Sequence, residues 1–219
     1  MIAASPADLR YMDLALALAR GQLGRTAPNP AVGCVLVRDG RIVATGATAD
    51  GGRPHAERVA LDAAGETARG ATAYVTLEPC AHHGQTPPCA EALAGAGVKR
   101  VVIACLDPYA EVDGRGLTIL REAGIEIGLG TREAAAAELN AGFFHRLKTG
   151  RPLVFADRRT RGYEAELSPV ADAAVEAELA ELGRQGLNRV RVAPGTGFAR
   201  RLHALGFLSA PDGSRHTVY

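Results

Sequence analysis

The sequence predicts an α/β fold, a three-layer α/β/α sandwich around a mixed sheet, with a short C-terminal extension. Two observations carry that prediction. From residue 55 to 148, apolar runs of strand length alternate with helical stretches, the pattern of strands joined by helical crossovers. The runs 31–38 and 41–46 are joined instead by Asp39-Gly40, a two-residue hairpin turn, so at least one strand pair is antiparallel.

Residues 8–21 read as an amphipathic helix with Leu9, Met12, Leu16 and Ala19 near one stripe, built to pack on a sheet. The hairpin follows. His55 opens a helix to about Ala64, residues 71–77 form a strand, Cys89 opens a helix to about Gly95, and residues 100–106 form the next strand. A helix over 116–123 is closed by Gly124, a last strand covers 125–129, and one long helix runs from 132 to 148.

Of the 219 residues, twenty-five are Lys or Arg and twenty-four Asp or Glu, a formal charge of +1 that leaves no electrostatic footprint for nucleic acid or an anionic membrane. Near the N-terminus the apolar run spans only 14–19 and follows Asp13, so neither a signal peptide nor a membrane span is indicated, and a cytoplasmic protein is expected. A homo-oligomer is expected as well. Cys34 and Cys105 lie inside apolar strand runs and read as inert core thiols.

The remaining cysteines carry the chemistry. His55, Cys80 and Cys89 offer one imidazole and two thiolates, three ligands that leave tetrahedral Zn²⁺ one open position, as in a catalytic rather than a structural site. An open position suits water, which such a centre acidifies to a pKa of about 7. Glu57 stands two residues from His55, a spacing that does not place both on one helical face, so its carboxylate is assigned to moving the water's proton and not to the metal. Both cysteines are expected at strand-to-helix turns, where backbone N–H groups and the helix dipole favour thiolate. His82 and His83 could ligate in principle, but a fourth protein ligand would close the site.

Zinc deaminases that attack an amino-bearing ring carbon carry H-x-E followed by P-C-x-x-C. Here eight residues, not two, separate Cys80 from Cys89. With that spacing, the stretch from Thr76 to Gly84, then Thr86-Pro87-Pro88-Cys89, Gly24-Arg25-Thr26, Pro28-Asn29-Pro30, His55-Ala56-Glu57 and Gly114-Arg115-Gly116-Leu117, residues 8–155 resemble the deaminase half of the bifunctional riboflavin-biosynthesis deaminase/reductase. The resemblance implies a cytidine-deaminase-like fold, Zn²⁺ as cofactor, and hydrolytic removal of the 2-amino group of a diaminopyrimidinone ribose phosphate. A related zinc deaminase retargeted to another pyrimidine, pterin or purine, or a zinc-stabilised partner protein without activity, are the other readings. The resemblance also makes Asn29 a hydrogen-bonding partner of the substrate ring and His82 a pocket residue. Asp107, before Pro108, reads either as an ordinary turn or cap or, by resemblance, as a substrate contact. Gln85 stands where relatives often carry a cation, and Tyr109-Ala110 where they usually carry Asn-Pro. Both are placed at the ribose-phosphate end, where a neutral amide cannot give the charge-assisted bond a cation would.

The same resemblance divides the chain into a deaminase domain, 1–149, and a truncated reductase-like remnant, 150–219. After Arg151-Pro152-Leu153-Val154-Phe155 the strand and Asp-Gly signature that open the family's reductase are missing, while residues 179–208 look like a piece from late in it. A helix–strand–helix unit is expected there, with no NADPH-dependent reduction and a separate reductase to complete the pathway. Removal of 160–219 is expected to leave zinc and most of catalysis intact, unless that stretch covers the pocket or an oligomer interface.

Overall fold

The computed structural model describes residues 4–81, 87–107 and 114–209. The chain forms two compact units. The first comprises Met1–Gln22, Ala31–Ala49 and Arg53–Ala137; the second comprises Leu23–Pro30, Asp50–Gly52 and Glu138–Tyr219. The second unit thus begins at Glu138 and takes in two short N-terminal segments as well.

In the first unit, strands β1 (Gly33–Arg38), β2 (Arg41–Ala47), β3 (Thr72–Leu77), β4 (Arg100–Cys105) and β5 (Glu126–Leu129) form one sheet in the order β2-β1-β3-β4-β5. β1 runs antiparallel to both β2 and β3, and β3, β4 and β5 are parallel, so the sheet is mixed. Asp39 and Gly40 both have positive φ, 51° and 73°, as the tight hairpin turn requires. β4 is buried from Val101 to Cys105, the continuous apolar run of a strand covered on both faces.

Helix α1 (Pro6–Gly21) buries Met12, Ala15, Leu16 and Ala19. Its start is fixed by a reciprocal cap between Ser5 and Asp8. Helices α2 (Ala56–Ala64), α3 (Cys89–Gly95) and α4 (Arg115–Glu122) follow the strands as expected. The approach of α2 to β2 depends on Gly46, where a Cβ would stand 2.1 Å from the Ala56 carbonyl oxygen. The expected single helix over 132–148 is two: α5 (Glu133–Leu139) and α6 (Ala141–Thr149). Asn140 interrupts it, with φ −97° and ψ 11°, and its main-chain carbonyl accepts from the Phe144 N–H, while its side chain makes no capping bond. Asparagine is a poor residue for a helix interior.

The second unit carries its own sheet. Strands β6 (Leu153–Ala156), β7 (Ala165–Glu166), β8 (Arg189–Val192) and β9 (Leu208–Ser209) pair in the order β7-β8-β6-β9, all parallel. Helices α7 (Val175–Arg184) and α8 (Gly197–Ala204) flank β8 in sequence, and Val154, Leu179, Val190, Phe198 and Leu202 share a core. The expected helix–strand–helix unit is there as α7-β8-α8. The Leu153-Val154-Phe155 run itself forms β6, which follows Pro152 directly and lies in the sheet interior. Its apolar Leu-Val-Phe-Ala run pairs on both sides, with β8 and β9, whose sequences lie far downstream.

Candidate metal centre

Three elements of the first unit deliver the candidate ligands. His55 is the N-cap of α2, in extended conformation with φ −68° and ψ 158°, and Glu57 is the second residue of the helix. Cys80 follows β3 through Glu78-Pro79, and Cys89 is the first residue of α3. The fold brings one ligand atom from each of His55, Cys80 and Cys89 within 4.8 Å of the others. His55 Nδ1 lies 3.6 Å from Cys80 Sγ and 3.5 Å from Cys89 Sγ.

Those separations test the donor set against zinc. With bonds of about 2.3 Å to sulfur and about 2.05 Å to nitrogen at tetrahedral angles, a sulfur and a nitrogen ligand stand about 3.6 Å apart. The side chains fit the ion. For Nδ1 to present its lone pair between the sulfurs, the ring proton belongs on Nε2.

The electrostatics agree. The hydrogen bond from Cys89 draws the Cys80 thiol down to about 4, aided by His55 and by the Cys89 N–H, which donates to Cys80 Sγ at 3.3 Å. The same bond, together with burial, pushes Cys89 up. A divalent cation bound there would displace the thiol protons. Glu57 is only 4% exposed. Burial, then the charge of Cys80, raises its carboxyl to about 7, so it can both hold and release a proton near neutrality. A surface carboxylate of the same spacing could not.

Asn29 belongs to the second unit, where its amide donates to the Gly52 carbonyl at 2.8 Å. Asp107 is half-buried, two residues beyond β4. His82, His83, Gln85 and Tyr109 lie outside the described residues. Cys34 and Cys105 are buried in strands and outside the triad; burial raises Cys34 well above its ordinary value and Cys105 to about 12. One residue was not singled out from sequence. Glu78, buried, accepts from the N–H groups of Gly114 and Gly116 at 3.1 and 3.2 Å. Its only linear signal is its place in front of Pro79-Cys80.

Residues 5–105 match the cytidine and deoxycytidylate deaminase zinc-binding region. Among curated relatives, the riboflavin biosynthesis protein RibD of Escherichia coli (strain K12) is 54% identical over 147 residues, 67% of this chain and 40% of that protein. RibD of Aquifex aeolicus (strain VF5) is 52% identical over 147 residues, 67% of this chain and 41% of that one. The chain spans about two-fifths of the length of these relatives. Among solved structures, form 1 of Acinetobacter baumannii RibD superposes with a TM-score of 0.78 at 30% identity, covering 93% of this chain and 85% of that one. The diaminohydroxyphosphoribosylaminopyrimidine deaminase/5-amino-6-(5-phosphoribosylamino)uracil reductase of Thermotoga maritima gives 0.79 at 28% identity, covering 91% and 84%. A match over 93% of the chain reaches into the second unit.

Proposed function

The chain belongs to the RibD family, and from that membership we propose that it is a zinc-dependent aminohydrolase. Its reaction converts 2,5-diamino-6-(5-phosphoribosylamino)pyrimidin-4(3H)-one and water to 5-amino-6-(5-phosphoribosylamino)uracil and ammonia. The observation that carries the reading is the convergence of His55, Cys80 and Cys89 at zinc-ligand separations, with the buried carboxylate of Glu57 two residues from His55.

Zn²⁺, when bound by His55 Nδ1 and the two thiolates, supplies the Lewis acidity that makes water acidic near neutral pH. The remaining work belongs to the protein. Glu57 takes a proton from the attacking water, delivers it to the ring nitrogen beside the amino-bearing carbon, and passes a proton to the departing amine as the C–N bond breaks. Its raised pKa suits both directions of transfer. Asn29 is assigned to orienting the ring, His82 and Asp107 to the pocket, and Gln85 and Tyr109 to the phosphate end. The 1–149 segment is the catalytic domain in this reading, and residues 150–219 are the shortened counterpart of a reductase.

The test is ammonia release by the purified, zinc-loaded chain from the phosphoribosyl substrate, from its unphosphorylated form and from simple nucleobases. Release from the phosphoribosyl compound in preference to the others is expected. Failure to deaminate it, alongside turnover of another amine, would transfer the function to that substrate.

A further inference from the structure

Gly114-Arg115-Gly116 has no part in the chemistry above, and neither does the carboxylate two residues before Cys80. The fold puts them together. Glu78 Oε1 accepts from the Gly114 N–H at 3.1 Å and the Gly116 N–H at 3.2 Å, and Oε2 lies 3.4 Å from the Gly114 nitrogen. The main chain of Glu78 is held separately, its N–H donating to the Cys105 carbonyl at 3.0 Å. Gly114 is the N-cap of α4 with φ at 79°, a conformation that glycine reaches without strain. A Cβ on Gly116 would stand 2.2 Å from the Pro79 carbonyl oxygen. The first turn of α4 therefore rests directly on the Glu78-Pro79 backbone.

The first N–H groups of a helix lack intrahelical partners and favour an anion. Helices ordinarily take that acceptor from a neighbouring residue; this one takes it from 36 residues upstream. Cys80 is meanwhile held toward α3, its Sγ accepting from the Cys89 N–H and its carbonyl from the Ala90 N–H at 3.2 Å. The turn from 78 to 80 is thus fixed from two helices at once. Resting on the reading of the triad as a zinc centre, we propose that Glu78 is a positioning residue: its clamp on α4 sets where the Cys80 thiolate stands relative to His55 and Cys89, and so sets the affinity and geometry of the metal.

Full-length Glu78→Gln, Glu78→Ala and Gly116→Ala are compared with the unmutated chain by zinc affinity in chelator competition, by the visible bands of the Co²⁺-substituted protein, and by thermal unfolding. Glu78→Gln keeps the shape and one acceptor oxygen, so it should lose about tenfold in zinc affinity. That is the low end of the roughly 10–100-fold typical of groups that orient metal ligands. Glu78→Ala and Gly116→Ala should lose more, and the cobalt bands, which report the thiolate field itself, should shift or weaken. A cap that served only the fold would lower the unfolding temperature while leaving affinity and spectrum unchanged. That result in Glu78→Gln overturns the proposal whatever the other two variants do. An unmutated chain that takes up neither Zn²⁺ nor Co²⁺ refutes the metal reading instead.

Discussion

At the scale of single residues, His55 and Glu57 show how two neighbours acquire different tasks from one helix start. His55, outside the first turn, is free to aim Nδ1 at the two sulfurs, while Glu57 is inside it and buried. Replacing His55, Cys80 or Cys89 by Ala should therefore abolish the expected single zinc per chain by metal analysis, whereas Cys34→Ala and Cys105→Ala should keep it. Glu57→Gln should keep the metal and lose turnover by about 10² to 10⁴-fold. Glu57 also makes a pH prediction for chelator-treated protein. The folded chain holds its proton up to about pH 7, against 4.5 for an ordinary glutamate. The folded state thus binds this proton more tightly than the unfolded one, so the contribution is complete below about pH 4.5 and is lost as pH rises through about 7. Melting temperature against pH should fall across that window in the unmutated protein more steeply than in Glu57→Gln. The triad, though it spans 34 residues, was legible because an imidazole and two proline-flanked thiols announce metal ligands by residue type. Glu78 was not, because its partners are main-chain N–H groups 36 and 38 residues downstream, which no residue type marks.

At the scale of elements, strands and helices with clean periodicity were legible to within a residue or two, as in Cys89–Gly95 and Arg100–Cys105. The break at Asn140 was not, since the flanking residues favour helix on both sides and only the backbone turn at that position divides them. Nor was the tie between α1 and β4. Asp8 accepts from the Arg100 guanidinium at 2.7 Å and from the Tyr74 hydroxyl at 2.9 Å, in addition to its cap on Ser5. Burial alone would raise its carboxyl, and the bonds from Arg100, Ser5 and Tyr74 outweigh that and hold it well below the usual carboxylate range. Unfolding therefore takes up a proton in acid, so this stabilisation is present above about pH 4 and is lost as pH falls below it. Asp8→Ala should cost about 2 kcal/mol in denaturant unfolding. That is less than the roughly 3–5 kcal/mol for breaking a fully buried pair, because Arg100 keeps Glu126 at 2.9 Å. A loss near zero would show that the three bonds do not add to the fold.

At the scale of the molecule, the part after residue 149 is more than a helix–strand–helix unit, with four parallel strands and an apolar core. The Gly195-Thr196-Gly197 turn leads into α8, but Thr196 Oγ1 accepts the Ala199 N–H at 3.1 Å, using a donor that a phosphate would need. Titration with NADPH should accordingly show no saturable binding.

The second unit also takes in two N-terminal segments. Leu23–Pro30 and Asp50–Gly52 fold with it. The Asn29 carbonyl accepts from Asn188 Nδ2 at 3.3 Å, the Pro28 carbonyl accepts from the Arg146 guanidinium at 2.7 Å, and Arg146 in turn donates to Asn188 Oδ1 at 2.7 Å. A residue that reads from sequence as part of a reductase remnant thus holds the loop bearing the proposed ring-orienting amide. Removing residues 160–219 takes Asn188 with it, and so removes its bond to the Asn29 carbonyl. Zinc content should still survive, because His55, Cys80 and Cys89 all belong to the first unit. In the full chain, Asn188→Ala removes the bond to Asn29 and the acceptor that orients Arg146. Amide exchange across residues 26–29, where the Asn29 N–H donates to Thr26 at 2.9 Å, should quicken while zinc stoichiometry stays constant, and KM should rise more than kcat falls. Unchanged exchange across that loop would mean that Asn188 does not hold it.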